Sequence, residues 1–135
     1  MTERDCAICK IVAGEFPAQI VDEDDRTLAF MDAQPVSRGH LLVVPRRHST
    51  DLLEVDADDL AATVRAAQRL ATRVPGRLGA DGVNLAHSWA RDAHRSSSHF
   101  HIHVIPRYRH ARLRLPWRPA PGASDEIAAA AAALR

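Results

Sequence analysis

The stretch SHFHIHVIPR, from Ser98 to Arg107, constrains this chain more than any other. His99, His101 and His103 alternate strictly with Phe100, Ile102 and Val104. Side chains alternate across a β-strand. A strand here turns three imidazoles to one face, roughly 6–7 Å apart, and three bulky apolar groups to a core. Such a row has three uses. It can be a solvated polar face, although Ser, Thr or Lys would serve as well there. It can be a metal site, since neighbouring histidines on one face bind zinc in some barrels. It can be chemistry, because a neutral imidazole is a good nucleophile and titrates near pH ~6.5. A row of three then supplies an attacking nitrogen, a group that orients it, and a donor to a phosphate oxygen.

The rest of the chain narrows the class. It has 135 residues, which suits one domain. Hydrophobic residues make up 46% and charged residues 26%, enough apolar matter for a core under a soluble surface. The net charge of +1 provides no basic field for nonspecific nucleic-acid binding. No apolar run approaches the roughly 20 residues that span a bilayer. The start, MTERDCAICK, lacks the basic-then-apolar order of a signal peptide, so a cytoplasmic location is expected, with neither nucleic acid nor membrane as a partner.

Short apolar segments come in pairs around one long helical pattern. CAICKIVAGEFPA reads as a short helical turn that breaks at Gly14 and Pro17. QIVDED and RTLAFMDA, parted by acidic turn residues, read as a hairpin. GHLLVVPRRH is a third strand ended by Pro45, DGVNLAHSW a fourth and HFHIHVIPR a fifth, with the polar loop ARDAHRSSS between the last two. Leu60, Val64, Ala67, Leu70 and Ala71 recur at helical spacing between Asp56 and Val74. Asp56, Asp58 and Asp59 stand at its start and Arg73 and Gly76 near its end, as caps and dipole require. Residues 108–123 hold Pro116, Pro119 and Pro121 and should be irregular. SDEIAAAAAALR reads as a C-terminal helix capped by Ser124. The expected fold is α+β: an antiparallel sheet of about five strands, one long central helix and a short C-terminal helix. No Gly-rich turn follows a strand, which argues against a dinucleotide-binding unit or a P-loop.

HFHIHVI matches the pattern His-φ-His-φ-His-φ-φ, with φ apolar, and here the chain resembles the histidine triad (HIT) family of nucleotide hydrolases and transferases. The likeness extends over CAICKIVAGEFPAQIVDEDDRTLAFMDAQPVSRGHLLVVPRRH, over GVN before the motif and over IPR after it; it weakens from residue 108 onward. The resemblance implies a single domain over residues 1–135, a homodimer with two sheets joined across a two-fold axis, and a purine nucleotide or nucleotide conjugate as ligand. It places the nucleophile at His101, which attacks an α-phosphorus to form a nucleotidyl-imidazole that water or another acceptor then cleaves. A backbone carbonyl at His99 would hold the Nδ1–H of that ring and leave Nε2 to attack. His103 matches a phosphate contact and Ser96 a serine at the leaving group. Asn84 matches a phosphate or 5′-oxygen holder, and Asp32 a carboxylate whose two acceptor oxygens suit a ribose diol. Ile11, Phe16 and Phe30 match the apolar pocket of the base, and His40 a further histidine near the site. Without the resemblance Asp32 and Asn84 would be turn residues, and Phe16 and Phe30 plain core.

The two cysteines, Cys6 and Cys9, form Cys-x-x-Cys. In a cytosolic chain that spacing points to metal or redox chemistry more than to a structural disulfide. The resemblance completes a structural, tetrahedral zinc site with His48 and His99. A redox pair usually sits on a helix N-terminus after a strand, and two free thiols are the remaining alternative.

One segment departs from the family. LAHSWARDAHRSSS, between Asn84 and His99, is longer than usual and has no glycine. His94 and Arg95 stand where glycine and glutamine are common, so Arg91 or Arg95 is a candidate for direct phosphate contact. His87 and His94 read as loop decoration, and Trp117 as packing, with a cover over the base or the dimer groove as the alternative. The altered loop also admits a different class of function: a nucleotide-binding regulatory module with weak or no catalysis.

Overall fold

Every residue of β2 (Thr27–Met31) is buried, so this strand is covered on both faces. In a computed structural model, which describes residues 5–89, 99–113 and 117–135, β2 lies inside a five-stranded sheet of order β1-β2-β3-β5-β4. The other strands are β1 (Ile20–Glu23), β3 (Leu41–Pro45), β4 (Gly82–Ala86) and β5 (Ile102–Arg107), and all neighbours are antiparallel. The architecture is α+β, as expected. β1 and β2 form the hairpin, with an irregularity between Ile20 and Asp22.

The two faces of the sheet are covered differently. On one, Ala29, Met31, Leu41, Val43, Ile102 and Val104 meet α2 (Ala57–Ala71), α3 (Val74–Leu78) and α4 (Ser124–Leu134) in the main core. On the other, Leu28, Phe30 and Val44 meet Cys6, Ile8 and Cys9 at the start of the short helix α1 (Ala7–Val12). Pairing sets Phe30 opposite Leu42, Leu42 opposite His103 and His103 opposite Ala86, a row that crosses the α1 side of the sheet. Phe100, Ile102 and Val104 are buried on the α2 side. The alternation read from the motif therefore separates core from site.

The long helical pattern resolves into two helices. α2 ends with Thr72 as C-cap, and α3 follows with Pro75 in its first turn, where a missing N–H costs nothing. Gly79, not Gly76, supplies the left-handed residue that ends the run, at φ +69°. The buried stripe of α2 is Asp59, Thr63, Ala66, Ala67 and Leu70, while Val64 stays 43% exposed. Of the apolar pattern, Ala67 and Leu70 are buried and Leu60 and Ala71 pack against the core, while Val64 faces out, because small and polar groups fill the rest of the contact with the sheet. Asp56 caps α2 by accepting from the backbone N–H groups of Asp58 and Asp59. Asp59 is buried and accepts from Arg47 at 2.8 Å, with Arg26 3.3 Å away, so the N-terminus of α2 is latched to the segment after β3.

At α4 the N-cap is Ala123 and makes no side-chain bond; Ser124 is the first helical residue rather than the cap. Arg73 and Arg77 donate to the Leu134 carbonyl at 3.2 and 2.8 Å and close the far end. The described residues between β5 and α4 form neither helix nor strand, as the prolines require.

The fifth strand is shorter than its pattern. His99, Phe100 and His101 precede β5, whose register among the described residues reaches Ile102 on the β3 side and His103 on the β4 side. Other bonds hold them extended: Phe100 N–H donates to the Ser49 carbonyl at 2.7 Å, and His99 Nε2–H to the Pro45 carbonyl at 2.8 Å. His99 therefore leaves the row. Its ring is 1% exposed and turns toward α1, and only His101 and His103 remain beside the open cavity.

Candidate functional site

A cavity of about 800 Å³ opens on the α1 side of the sheet. Ile8, Ile11, Phe30 and Leu42 give it an apolar wall, and Asp32, His101 and His103 give it polar groups. The C-terminal segment supplies Trp117 and Ile127 to the same space. An apolar hollow of that size with a few convergent polar groups suits a nucleotide-sized ligand.

Hydrogen-bond partners fix the ring protons. His101 Nδ1 lies 2.8 Å from the His99 carbonyl oxygen. A carbonyl only accepts, so Nδ1 carries the proton and the lone pair is on Nε2. The second assignment runs through His40, which is fully buried. The Val36 N–H donates to His40 Nδ1 at 3.1 Å, so the proton of His40 is on Nε2. That Nε2–H faces His103 Nδ1 at 2.9 Å and Asp32 Oδ2 at 3.5 Å. His103 accepts at Nδ1, and its own proton is therefore on Nε2. The site thus presents one imidazole with its lone pair on Nε2 and, at a ring centroid distance of 4.9 Å, one with an N–H.

The electrostatics keep both rings of the chain neutral. Burial pushes His103 down to about 3, aided by charge on His101, His40 and His87. Burial also lowers His40; Asp32 opposes the shift and His101 adds to it. Asp32, His40 and His103 would match a metal triad by residue type alone. The His40 proton points to His103 Nδ1, so the two histidines form a hydrogen-bonded pair with the Asp32 carboxylate 3.5 Å from the donor nitrogen.

Asp32 sits at the rim with Oδ1 accepting from the Gln34 N–H at 2.8 Å. Ile11 and Phe30 line the cavity; Phe16 does not. It is 44% exposed, with the Lys10 ammonium 5.0 Å from its ring centroid, because Gly14 turns the chain away after α1. Asn84 shares the site face of the sheet, opposite Ile105, but stands apart from the cavity lining, and its Oδ1 accepts from Arg107 at 2.5 Å. Ser88, further along, reaches the lining, among the described residues of that connection. Ser96, with Arg91, His94 and Arg95, lies outside the described residues.

Two residues matter more than the sequence indicated. Trp117 sets its ring edge-on to His103 and His40, at 5.0 and 5.5 Å between centroids, so it packs on the site and not elsewhere. His87 is no loop decoration: its Nδ1 lies 3.0 Å from the His101 carbonyl oxygen. No spacing in the sequence signals either contact.

A second cluster lies at the start of α1. Sγ of Cys6, Sγ of Cys9 and one ring nitrogen each of His48 and His99 lie within 4.8 Å of one another. His99 Nδ1 is 3.5 Å from each sulfur, and His48 Nδ1 is 3.3 Å from Cys9 Sγ. Zn–S bonds of about 2.3 Å and Zn–N bonds of about 2.0 Å at tetrahedral angles give S···N edges of roughly 3.5 Å. The donor set and its spacing fit zinc. His99 Nε2–H is held by the Pro45 carbonyl, so Nδ1 offers its lone pair to the centre of the cluster. Burial pushes His99 down to about 4, against the pull of that carbonyl, which keeps the ring neutral as a ligand must be. Cys6 Sγ also accepts the Cys9 N–H at 3.2 Å, which fixes its place at the start of α1. Both cysteines are unbridged and buried, which does not suit an exposed redox pair.

The arrangement can be compared with known proteins. A family model for the HIT domain matches residues 13–110. An uncharacterised HIT-like protein of Methanocaldococcus jannaschii is 40% identical over 103 residues, 76% of this chain and 79% of that protein. Among solved structures, a hypothetical histidine triad nucleotide-binding protein from Sulfolobus tokodaii superposes with a TM-score of 0.83 at 27% identity, over 96% of this chain and 89% of that one. A zinc-bound histidine triad family protein from Mycobacterium smegmatis gives 0.80 at 34% identity, over 94% and 93%. With the match running from before the hairpin to beyond the triad strand, this chain belongs to the HIT family, a superfamily of nucleotide-binding hydrolases and transferases.

Proposed function

We propose that the chain cleaves a nucleoside phosphoramidate or a dinucleoside polyphosphate at the α-phosphorus, with His101 as nucleophile. The observation that carries this reading is the pinned ring: Nδ1–H on the His99 carbonyl puts the attacking lone pair on Nε2, in a residue that lines the cavity. In the first step a bond forms between Nε2 and the α-phosphorus. The bond from phosphorus to the leaving amine or phosphate breaks, and the leaving group departs with its electron pair. In the second step a water oxygen bonds to phosphorus and gives up a proton to solvent, which balances the proton a leaving amine takes up in the first; the P–N bond breaks with its electron pair returning to Nε2, and the nucleoside monophosphate leaves. Two in-line displacements return His101 to its starting state.

His103 donates its Nε2–H to a phosphate oxygen, where negative charge builds in both steps. It does so as a neutral donor, since burial keeps the ring uncharged. Asp32 takes the ribose hydroxyls at the rim, and Ile11 and Phe30 take the purine. Ser96, at the leaving group, and Asn84, at phosphate, remain part of the proposal. Cys6, Cys9, His48 and His99 hold a structural zinc. With four protein donors the ion has no open position, so when bound it supplies rigidity to the segment that carries the His99 carbonyl. β4 is an edge strand, which leaves one line of backbone groups for a second copy and supports a homodimer. No described helix is long and apolar enough to cross a membrane.

The test is turnover of tryptamine adenosine phosphoramidate and of diadenosine polyphosphates by the wild type and by His101→Ala. Loss of turnover by at least ~10³-fold in the variant is expected. Equal rates in the two proteins would remove His101 from the chemistry. Nucleotide binding without turnover of any of these substrates would favour the regulatory-module reading.

A further inference from the structure

Arg107 carries a charge that the proposed reaction does not use. It is half-buried at the end of β5, and side-chain alternation sets it on the face that bears His103. The other half-buried arginines among the described residues face carboxylates: Arg46 meets Glu23 at 2.7 Å, and Arg73 meets Asp22 at 3.7 Å. Arg107 forms no ion pair among the described residues. Asp81, whose N–H donates to the Arg107 carbonyl at 2.8 Å, turns its carboxylate to Arg109 instead. Arg107 Nη1 donates to a neutral group, the side-chain oxygen of Asn84, at 2.5 Å. A guanidinium partly withdrawn from water without a counter-charge favours an incoming anion.

The same bond orients the asparagine. Oδ1 must face the guanidinium, because the amide NH2 only donates. That NH2 group is turned away from Arg107, and among the described residues it has no partner. The amide and the unused N–H groups of the guanidinium thus stand side by side, all donors, with one positive charge. Planar donors of this kind match phosphate oxygens. Strand register says where they stand. Ala86 lies opposite His103, Asn84 opposite Ile105 and Gly82 opposite Arg107. Gly82 offers no side chain to hold Arg107 at its own rung, and the arginine reaches back one same-face step to Asn84. That rung is roughly 6–7 Å along the strand from the rung of His103, whose Nε2–H is the proposed phosphate donor. Ala86 keeps β4 low beside it on that face.

From this geometry we infer that Arg107 and Asn84 form a second phosphate subsite beside the one at His103, and that Arg107 selects a substrate whose leaving group is a phosphate chain. The inference rests on cleavage at the α-phosphorus by His101. When the bond from that phosphorus to a leaving phosphate breaks, its electron pair goes to the leaving phosphate, and the guanidinium balances the charge. A leaving amine takes up a proton and brings no phosphate to the subsite. Of the two substrate types, the dinucleoside polyphosphate is therefore the one this chain selects.

The experiment measures kcat/KM of wild type, R107Q, R107K and H101A on diadenosine tetraphosphate and on tryptamine adenosine phosphoramidate, and takes the ratio of the first to the second. Glutamine keeps an N–H for Asn84 and removes the charge; lysine keeps the charge and loses the planar fork. R107Q should lower the ratio by about 30-fold and R107K by about 10-fold. General damage to the fold lowers both rates and leaves the ratio alone. Should R107Q not fold, R107K carries the same comparison. A ratio within about 3-fold of wild type overturns the inference, and loss of the dimer in the same variant would assign the guanidinium to the contact between copies. Failure of the proposed function shows differently: the wild type is then no faster than H101A on either substrate. In that event inorganic tripolyphosphate decides. It should shift the Asn84 side-chain amide signals of the wild type in NMR and leave those of R107Q in place; equal shifts in both, or none in the wild type, sink the inference.

Discussion

The hydrogen bond between His40 Nε2 and His103 Nδ1, 2.9 Å long, has only one direction. The Val36 N–H occupies His40 Nδ1, so His40 must donate and His103 must accept. A buried residue of β3's approach thus decides which nitrogen of His103 faces the cavity with a proton. His40→Phe fills the volume and removes the donor. It should lower kcat by about 10- to 100-fold while leaving KM nearly unchanged, because the lost contact is strongest where phosphate charge builds. Nitrogen shifts of His103 should change from one tautomer to a mixture. A His40→Phe enzyme with wild-type kcat would show that the chain from Val36 to His103 has no part in the reaction.

Acid should destabilise the fold through its buried histidines. His103 and His40 are both held below the ordinary value of 6.5, His103 down to about 3. Between those values the unfolded chain binds protons that the folded chain refuses. Stability therefore rises with pH in that window and falls as pH drops from 6.5 toward 3. Urea midpoints measured across this range should decline steadily below pH 6.5 in the wild type. The decline should be shallower in His103→Asn, which removes the group with the larger shift. Parallel curves for the two proteins would count against a neutral, buried His103.

The legible part of this molecule was its periodicity. Alternation through Phe100, Ile102 and Val104 named the core face of the motif, since burial on a strand follows side-chain parity. The hairpin and the Cys6–Cys9 pair were legible for the same reason: local chemistry and short spacing. Phe16 was misplaced because nothing in its sequence shows that Gly14, at φ +80°, turns the chain away from the cavity. Val64 was misplaced because Thr63 and Ala66, weak markers of a core, are what the sheet accepts. His87 was misread as loop decoration, and for Trp117 the sequence left packing and a cover over the base or dimer groove both open. Their contacts depend on where β4 stops pairing and on how the C-terminal segment folds back, and both are tertiary facts.

Zinc should link the two clusters through His99, whose ring faces the cysteines and whose carbonyl holds His101. Protein made in zinc-containing medium should carry the metal in stoichiometric amount, and Cys9→Ser should carry far less. Zinc at a hundred times its Kd would stabilise the fold by about 2.7 kcal/mol, and chelation should remove that increment from the unfolding curve. Equal metal content and equal melting in wild type and Cys9→Ser would rule out the site.

Gly39 should be the least replaceable glycine near the site. It precedes His40 at φ +90°, a conformation that L-residues avoid. A Cβ there would also collide with the Leu78 side chain and meet Pro106 at 3.2 Å. The two costs are separate, one in the backbone and one in packing, so alanine cannot relieve both by a small shift. Gly39→Ala should destabilise the fold by about 2 kcal/mol or more. Because His40 is the next residue, the loss should reach the site: the His40–His103 bond lengthens, and kcat falls alongside the melting temperature. Gly76, with nothing within 4 Å of a Cβ and no positive φ, is the control. Its alanine variant should melt at or above the wild-type temperature, since alanine favours the helix in which it sits. If Gly39→Ala and Gly76→Ala melt alike, the strained turn before His40 does not shape the site.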